Sequence, residues 1–482
     1  MVFSSLVFLC LFFPLQMIIY YFARSIEAKN TVLILFSLVF YAWGEPFYIL
    51  ILLFMAFADW LISQFIYKYR GTGKSKGFLI LGCAVDLSLL AFFKYAMFVM
   101  ENTQRLTGFP SVIVQIALPI GISFYTFQLL SYMVDVYRGE VPAQKKFRRL
   151  LLYVCLFHQC IAGPIVRYQD VSEQILSRRV DQEDMRTGIN RFCSGLAKKV
   201  LLANICGKLA DMTILGGLAE NSADKLATLG STPALSLWIG CLAYMFQIYL
   251  DFSAYSDMAI GMGRMVGFHY KENFNYPYLA RSVTDFWRRW HMSLSSFFRD
   301  YVYIPLGGNR KGKLRTVFNL FVVWLLTGMW HGADWNFILW GLYYFVFLAL
   351  EKFVFPFLQR LPGVLAHLYT LLIVFFGWIL FYFRDFSQAG VVVKGLFCLN
   401  GNPFTNFETT NLLLNYCIFL LVAVIACTPL PRMLYHKLCD STNAVAIVCG
   451  TFAEWVFPAA AVLLSVSFLV SDSYNPFLYL QF

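Results

Sequence analysis

Arg281-Ser-Val-Thr-Asp-Phe-Trp-Arg-Arg-Trp-His291-Met-Ser-Leu-Ser-Ser-Phe-Phe-Arg-Asp-Tyr-Val-Tyr-Ile-Pro-Leu-Gly-Gly-Asn-Arg310 runs through a basic turn into an apolar stretch containing Thr327-Gly-Met-Trp-His331-Gly-Ala-Asp-Trp-Asn336. His291 lies among arginines and aromatics that cannot all be buried in lipid. His331 follows the apolar run Val317 to Leu326, which carries it toward the membrane interior, and an ionisable residue placed there is a functional-site candidate by default.

The composition around this stretch decides the class. Of 482 residues, 59% are hydrophobic and 13% charged, with a mean hydropathy of +0.64, which excludes a soluble multidomain protein. Many windows reach the roughly 20 apolar residues that span a bilayer as a helix, and no dyad alternation suggests a barrel. The expectation is an all-α polytopic membrane protein with about 11 or 12 transmembrane helices.

The expected spans are 3–22, 31–43, 47–66, 78–99, 113–137, 199–216, 234–262, 316–331, 335–352, 365–385, 411–430 and 446–470. Met1 to Phe22 has no basic n-region or small-residue cleavage site and reads as a retained first span. Leu150 to Val166 and Phe274 to Pro305 read as re-entrant or interfacial helices, which require protein or water to satisfy their backbones.

The net charge of +11 is explained by Lys and Arg in short loops, as the positive-inside rule predicts, so nucleic acid is not an expected partner. The acid-bearing loops 217–233, 386–410 and 471–482 face outward on this reading, with both termini outside. His291 then lies toward the cytoplasm and His331 at the far end of its span, so the site is reachable from both faces. Twelve cysteines show no C-x-x-C pair and no metal spacing, and read as small core residues.

The neighbours of His331 suit chemistry. Gly328 and Gly332 permit close helix approach, Trp330 and Trp335 form walls, and Asp334 and Asn336 offer polar partners. Imidazole exchanges protons near neutrality. Arg288, Arg289 and Arg299, with Arg310, Lys311, Lys313 and Arg315, form the kind of cluster that binds a phosphate-bearing donor such as coenzyme A, although a positive-inside loop looks the same. Gly307 to Lys313 matches G-x-x-x-x-G-K, but Leu314 replaces the magnesium-binding hydroxyl and no strand precedes it, which rules out a P-loop.

Asp251, Ser253 and Tyr255, with Ser256 and Asp257, form a polar knot expected to line a tunnel, while Asp86 and Lys94 read as structural. His158 sits where Gly163-Pro164 breaks a helix and is either structural or tunnel-lining. His269, His367 and His436 read as loop histidines.

Together these residues resemble the membrane-bound O-acyltransferases, and within them the bacterial alginate O-acetyltransferase branch. The resemblance runs through Met1-Val-Phe-Ser-Ser5, Phe40-Tyr-Ala-Trp43, Phe93-Lys-Tyr95, Leu118-Pro-Ile-Gly-Ile-Ser-Phe-Tyr125, Asp135-Val-Tyr-Arg-Gly139, Ile161-Ala-Gly-Pro164, Asp251-Phe-Ser253 and Asn273-Phe-Asn-Tyr-Pro277. It continues through Phe286 to Ser295, Arg299 to Tyr303, Leu306 to Arg310 and Gly328 to Gly332.

The resemblance implies helices around a central funnel, and one domain over 1–482 with its signature region at 273–350 and further spans at 365–482. It carries the family's catalytic histidine onto His331 and its second signature histidine onto His291. It also implies acetyl-CoA or another acyl thioester as donor with no bound cofactor or metal, and a polysaccharide acceptor. An extracytoplasmic SGNH-type acetyltransferase partner and a location in the bacterial cell membrane among its lipids follow in the same way. Where this chain has His158 the branch commonly has proline.

Two alternatives stay open on sequence grounds: transfer of another acyl unit, such as D-alanine to teichoic acid or a fatty acyl group, and a proton-coupled transporter.

Overall fold

A computed structural model describes residues 1–108, 116–215, 223–355, 362–439, 443–472 and 474–477. Helices dominate, and no strand forms among the described residues. Among the described residues eight helices are long and apolar enough to cross a membrane: Ile26–Gly44, Ile49–Lys68, Gly73–Thr107, Ala234–Met265, Trp335–Val354, Gly363–Tyr382, Phe407–Ala426 and Gly450–Ser471. The chain is therefore an all-α, multi-pass membrane protein.

Four expected spans do not reach that standard, for separate reasons. The first is a shorter helical run, Phe8–Phe22. The expected 113–137 span includes residues 113–115, outside the described residues; its helix, Ile122–Arg138, begins only after Pro119 and the left-handed Gly121. The expected 199–216 span divides into a wide turn at Lys198–Ala203 and a helix at Asn204–Ile214, and residue 216 lies outside the described residues. Gly312–His331 is long enough, but Lys313, Arg315, Asn319 and His331 make it less apolar than the eight.

Two stretches expected to be loops also contain helices, Ala223–Ser231 and Phe386–Leu396, because Leu229, Val392 and Leu396 need burial. The expected re-entrant segments consist of short helices: Phe147–Cys155 in one, and Val283–Arg289 and Met292–Phe298 in the other.

The chain forms two compact units. The first comprises Met1–Phe192, Tyr255–Glu272 and Ser293–Pro305. Its core is aromatic: Phe3, Phe8, Phe12, Phe40 and Phe157 meet one another, and Tyr255 stacks on Phe3 at 4.4 Å. Helices Ile49–Lys68, Gly73–Thr107 and Ile122–Arg138 pack together. Asp86 faces Asp59 on the neighbouring helix, while Lys94 donates to Ser123 Oγ at 3.5 Å.

Ser293–Pro305 is fastened within this unit by charge. Arg167 pairs with Asp300 at 2.8 Å, and Tyr301 donates to Asp135 at 2.7 Å. Arg167 and Arg299 together hold the Asp300 carboxyl below its ordinary range, against the opposing effect of burial.

The second unit comprises Cys193–Ala254, Asn273–Met292 and Leu306–Phe482. Its centre is a hairpin of Gly312–His331 and Trp335–Ala349, on which Gly363–Tyr382 packs. Gly328 and Gly341 let the hairpin close: a Cβ at Gly341 would lie 2.3 Å from the Trp324 carbonyl, and one at Gly328 2.4 Å from that of Phe337. The described part of the C-terminal tail crosses Lys198–Ile214. There Lys208 pairs with Asp472, Tyr474 donates to Asp211 at 2.6 Å and Asn204 donates to Asn475 at 3.2 Å. Helices Phe407–Ala426 and Gly450–Ser471 expose most of their apolar side chains, as lipid-facing helices do.

Because backbone cannot move aside as a flexible side chain can, Gly341→Val is expected to destabilise the protein by roughly 1–3 kcal/mol or more. Gly390→Ala, inside the helix Phe386–Leu396 with open space around it, should raise stability by about 0.5–1 kcal/mol. Melting of the detergent-solubilised variants checks both.

Candidate active site

The sequence places the two signature histidines far apart; the second unit brings both against one indole. Trp330 lies 5.0 Å from His331 and 5.7 Å from His291 between ring centroids, edge-on in both cases. Both imidazoles are buried, His291 fully and His331 with 4% exposure.

His331 closes the Gly312–His331 helix, and Gly332 in extended conformation ends it. The ring is walled by Trp340 at 4.9 Å and Phe381 at 5.5 Å. Asn336 fixes that wall by donating from Nδ2 to the Phe381 carbonyl at 2.9 Å. Behind it, Trp287, Trp290, Trp324, Tyr344 and Trp378 form a continuous aromatic cluster.

His291 follows Val283–Arg289 in a left-handed conformation, φ +43°. That geometry costs a non-glycine residue on the order of 1–3 kcal/mol and requires support. Asn273 Oδ1 lies 3.2 Å from Nδ1, and Phe252 meets the ring at 4.7 Å. Burial pushes the imidazole down to about 3, so it is neutral at physiological pH.

The helix leading to His291 is capped twice. Ser282 accepts from Asp285 N at 2.9 Å, and the buried Glu351 carboxylate accepts from Val283 N at 2.7 Å, Thr284 N at 3.0 Å and Thr284 Oγ1 at 2.8 Å. Glu351 was not singled out by sequence reasoning; the available signal was a carboxylate inside an otherwise apolar span.

The remaining sequence candidates fall in different places. Asp334 is a helix cap, accepting from Trp335 N at 2.6 Å, and it stands 4.0 Å from Arg384. Asp251 forms a buried ion pair with Lys199 at 2.8 Å, and Ser253 accepts from Lys198 at 3.2 Å. Tyr255 and Arg299 belong to the first unit, where Arg299 pairs with Asp300 at 2.7 Å. Arg288 is exposed, whereas Arg289 is engaged by Asp285 at 2.9 Å.

Among the other histidines, His158 is buried 3.4 Å from the Tyr270 hydroxyl in the first unit, and His269 lies in a loop near Asp184. His367 and His436 are on helices, not loops, with His367 Nδ1 donating to the Ala280 carbonyl at 3.0 Å.

Two buried imidazoles in an aromatic enclosure of an all-helical membrane protein define the class. The profile of the MBOAT, membrane-bound O-acyltransferase family, matches residues 88–387, and the chain belongs to that family; it is an O-acyltransferase. It is 37% identical to the probable alginate O-acetylase AlgI of Azotobacter vinelandii over the full length of both chains. It is 31% identical to the peptidoglycan O-acetyltransferase of Helicobacter pylori, across 100% of this chain and 98% of that one. A teichoic acid D-alanyltransferase of Bacillus subtilis is 28% identical over 56% of this chain and 70% of its own.

Replacing Glu351 with Leu strips the acceptor from two buried N–H groups, each worth about 1–3 kcal/mol when left unsatisfied. Glu351→Leu should lower the melting temperature and acyl transfer together, and Glu351→Gln, which keeps one acceptor, should lose less of both.

Proposed function

We propose that the chain takes acetyl from acetyl-CoA on the cytoplasmic side of the bacterial cell membrane and passes it through the membrane for O-acetylation of an extracytoplasmic polysaccharide. An SGNH-type acetyltransferase partner completes the transfer. The observation that carries this reading is the pair of buried imidazoles that both contact Trp330. Full-length similarity to an alginate O-acetylase and to a peptidoglycan O-acetyltransferase supports acetyl as the acyl group and a surface polymer as the acceptor. We read residues 1–482 as one enzyme domain, since those relatives align from end to end.

In this mechanism His331 is the general base. An acceptor hydroxyl, on the partner or a sugar, gives its proton to the imidazole as its oxygen attacks the thioester carbonyl. The C–S bond then breaks, and the imidazolium returns the proton to the leaving thiolate, so ester and free thiol are the products. The aromatic walls exclude water, which would otherwise hydrolyse the donor. His291 holds the donor side, and exposed Arg288 meets the donor's phosphates. Transfer of D-alanine is the second reading, favoured by similarity to a teichoic acid D-alanyltransferase.

With protein levels in the membrane matched, His331→Ala should lower alkali-released acetate from the surface polysaccharide to the background of cells lacking the chain. Unchanged acetate with loss of another ester would overturn the acetyl assignment. Arg288→Ala should raise the donor KM by roughly tenfold, equivalent to about 1.4 kcal/mol of binding, with acceptor KM unchanged.

A further inference from the structure

His291 owes both its backbone and its ring orientation to one short segment. Met292 N donates to the Asn273 carbonyl at 2.9 Å, and Asn275 N donates to the Arg289 carbonyl at 2.9 Å. Residues 273–275 thus lie alongside 289–292 and hold His291 in its left-handed conformation. These bonds are all main-chain, so the backbone is secured without any side chain of Asn273.

That side chain, 1% exposed, instead reaches the imidazole, with Oδ1 3.2 Å from Nδ1. A carbonyl oxygen can only accept, so the hydrogen is on Nδ1. In a neutral imidazole the lone pair is then on Nε2.

We propose that Asn273 is a positioning residue that sets the tautomer of His291, making Nε2 a hydrogen-bond acceptor in the acyl-transfer site. The group His291 meets in the reaction therefore carries an O–H or N–H, such as an amide N–H on the arm of the thioester donor. It is not the thioester carbonyl, which would need a donor. This rests on the reading that His291 belongs to the transfer site, and it narrows what His291 does there.

The test is nitrogen-15 NMR of histidine-labelled protein in lipid nanodiscs, with the His291 signals assigned by their loss in His291→Gln. The native protein is expected to show His291 neutral and protonated on Nδ1. In Asn273→Leu the hydrogen should move to Nε2, and kcat for acetyl transfer should fall on the order of a hundredfold, the scale of a lost positioning contact. Asn273→Asp, which keeps an acceptor of the same reach, should restore transfer to within about tenfold of native.

A native His291 protonated on Nε2 overturns the proposal, and so does an unchanged tautomer in Asn273→Leu despite lost transfer. If Asn273→Leu does not fold, the native spectrum and Asn273→Asp still decide. If native protein transfers no acyl group from acetyl-CoA, the functional reading fails separately, because the tautomer is read without turnover.

Discussion

A buried stretch of irregular backbone must have its N–H and C=O groups satisfied by the protein itself, and the core of the second unit is arranged around that requirement. Residues 273–292 are neither one helix nor a surface loop, yet many of their side chains are fully buried. They persist because main chain pairs with main chain at Asn273–Met292 and Asn275–Arg289, and because Glu351 accepts from the N–H groups that begin Val283–Arg289 and have no partner within that helix. A continuous helix would need none of this support. It also could not set the His291 ring against Trp330 from outside the helix that bears His331.

The second histidine depends on a different device. His331 is the last residue of its helix, where Gly332 ends the helical path and Asp334 starts the next one. The glycine contacts at Gly328 and Gly341 bring the two helices close enough for Trp340 to wall the ring, and Phe381 of Gly363–Tyr382 adds a second wall. Tight apolar packing and a polar group that exchanges protons are thereby combined in one place. Low-dielectric surroundings strengthen whatever electrostatic interactions the reaction uses.

Much of this was legible in the sequence. Hydropathy identified a multi-pass all-helical protein, glycines and tryptophans beside it marked His331, and arginines and tryptophans marked His291. Apolar windows could not show where Pro119 and Gly121 delay a helix, or where a wide turn divides Lys198 to Ile214. Within the polar knot, neighbours in sequence could not show that Asp251 and Ser253 meet Lys199 and Lys198, which lie about 50 residues earlier in the chain. Asp334 was chosen for its place beside His331, but its carboxylate caps a helix. Asn273, Glu351 and Phe381 gain importance only from contacts across long sequence separations, which local patterns do not record.

The central claim is that His291 and His331 act as one unit. It is tested most directly by the rate at which purified protein releases thiol from acetyl-CoA in the presence of acceptor, compared for native, His291→Gln, His331→Gln and the double variant. Residues that serve one transition state are strongly non-additive. The double variant is therefore predicted to lose no more activity than the worse of the two single variants. Losses that multiply, or a His291→Gln protein with native rate, would contradict the account.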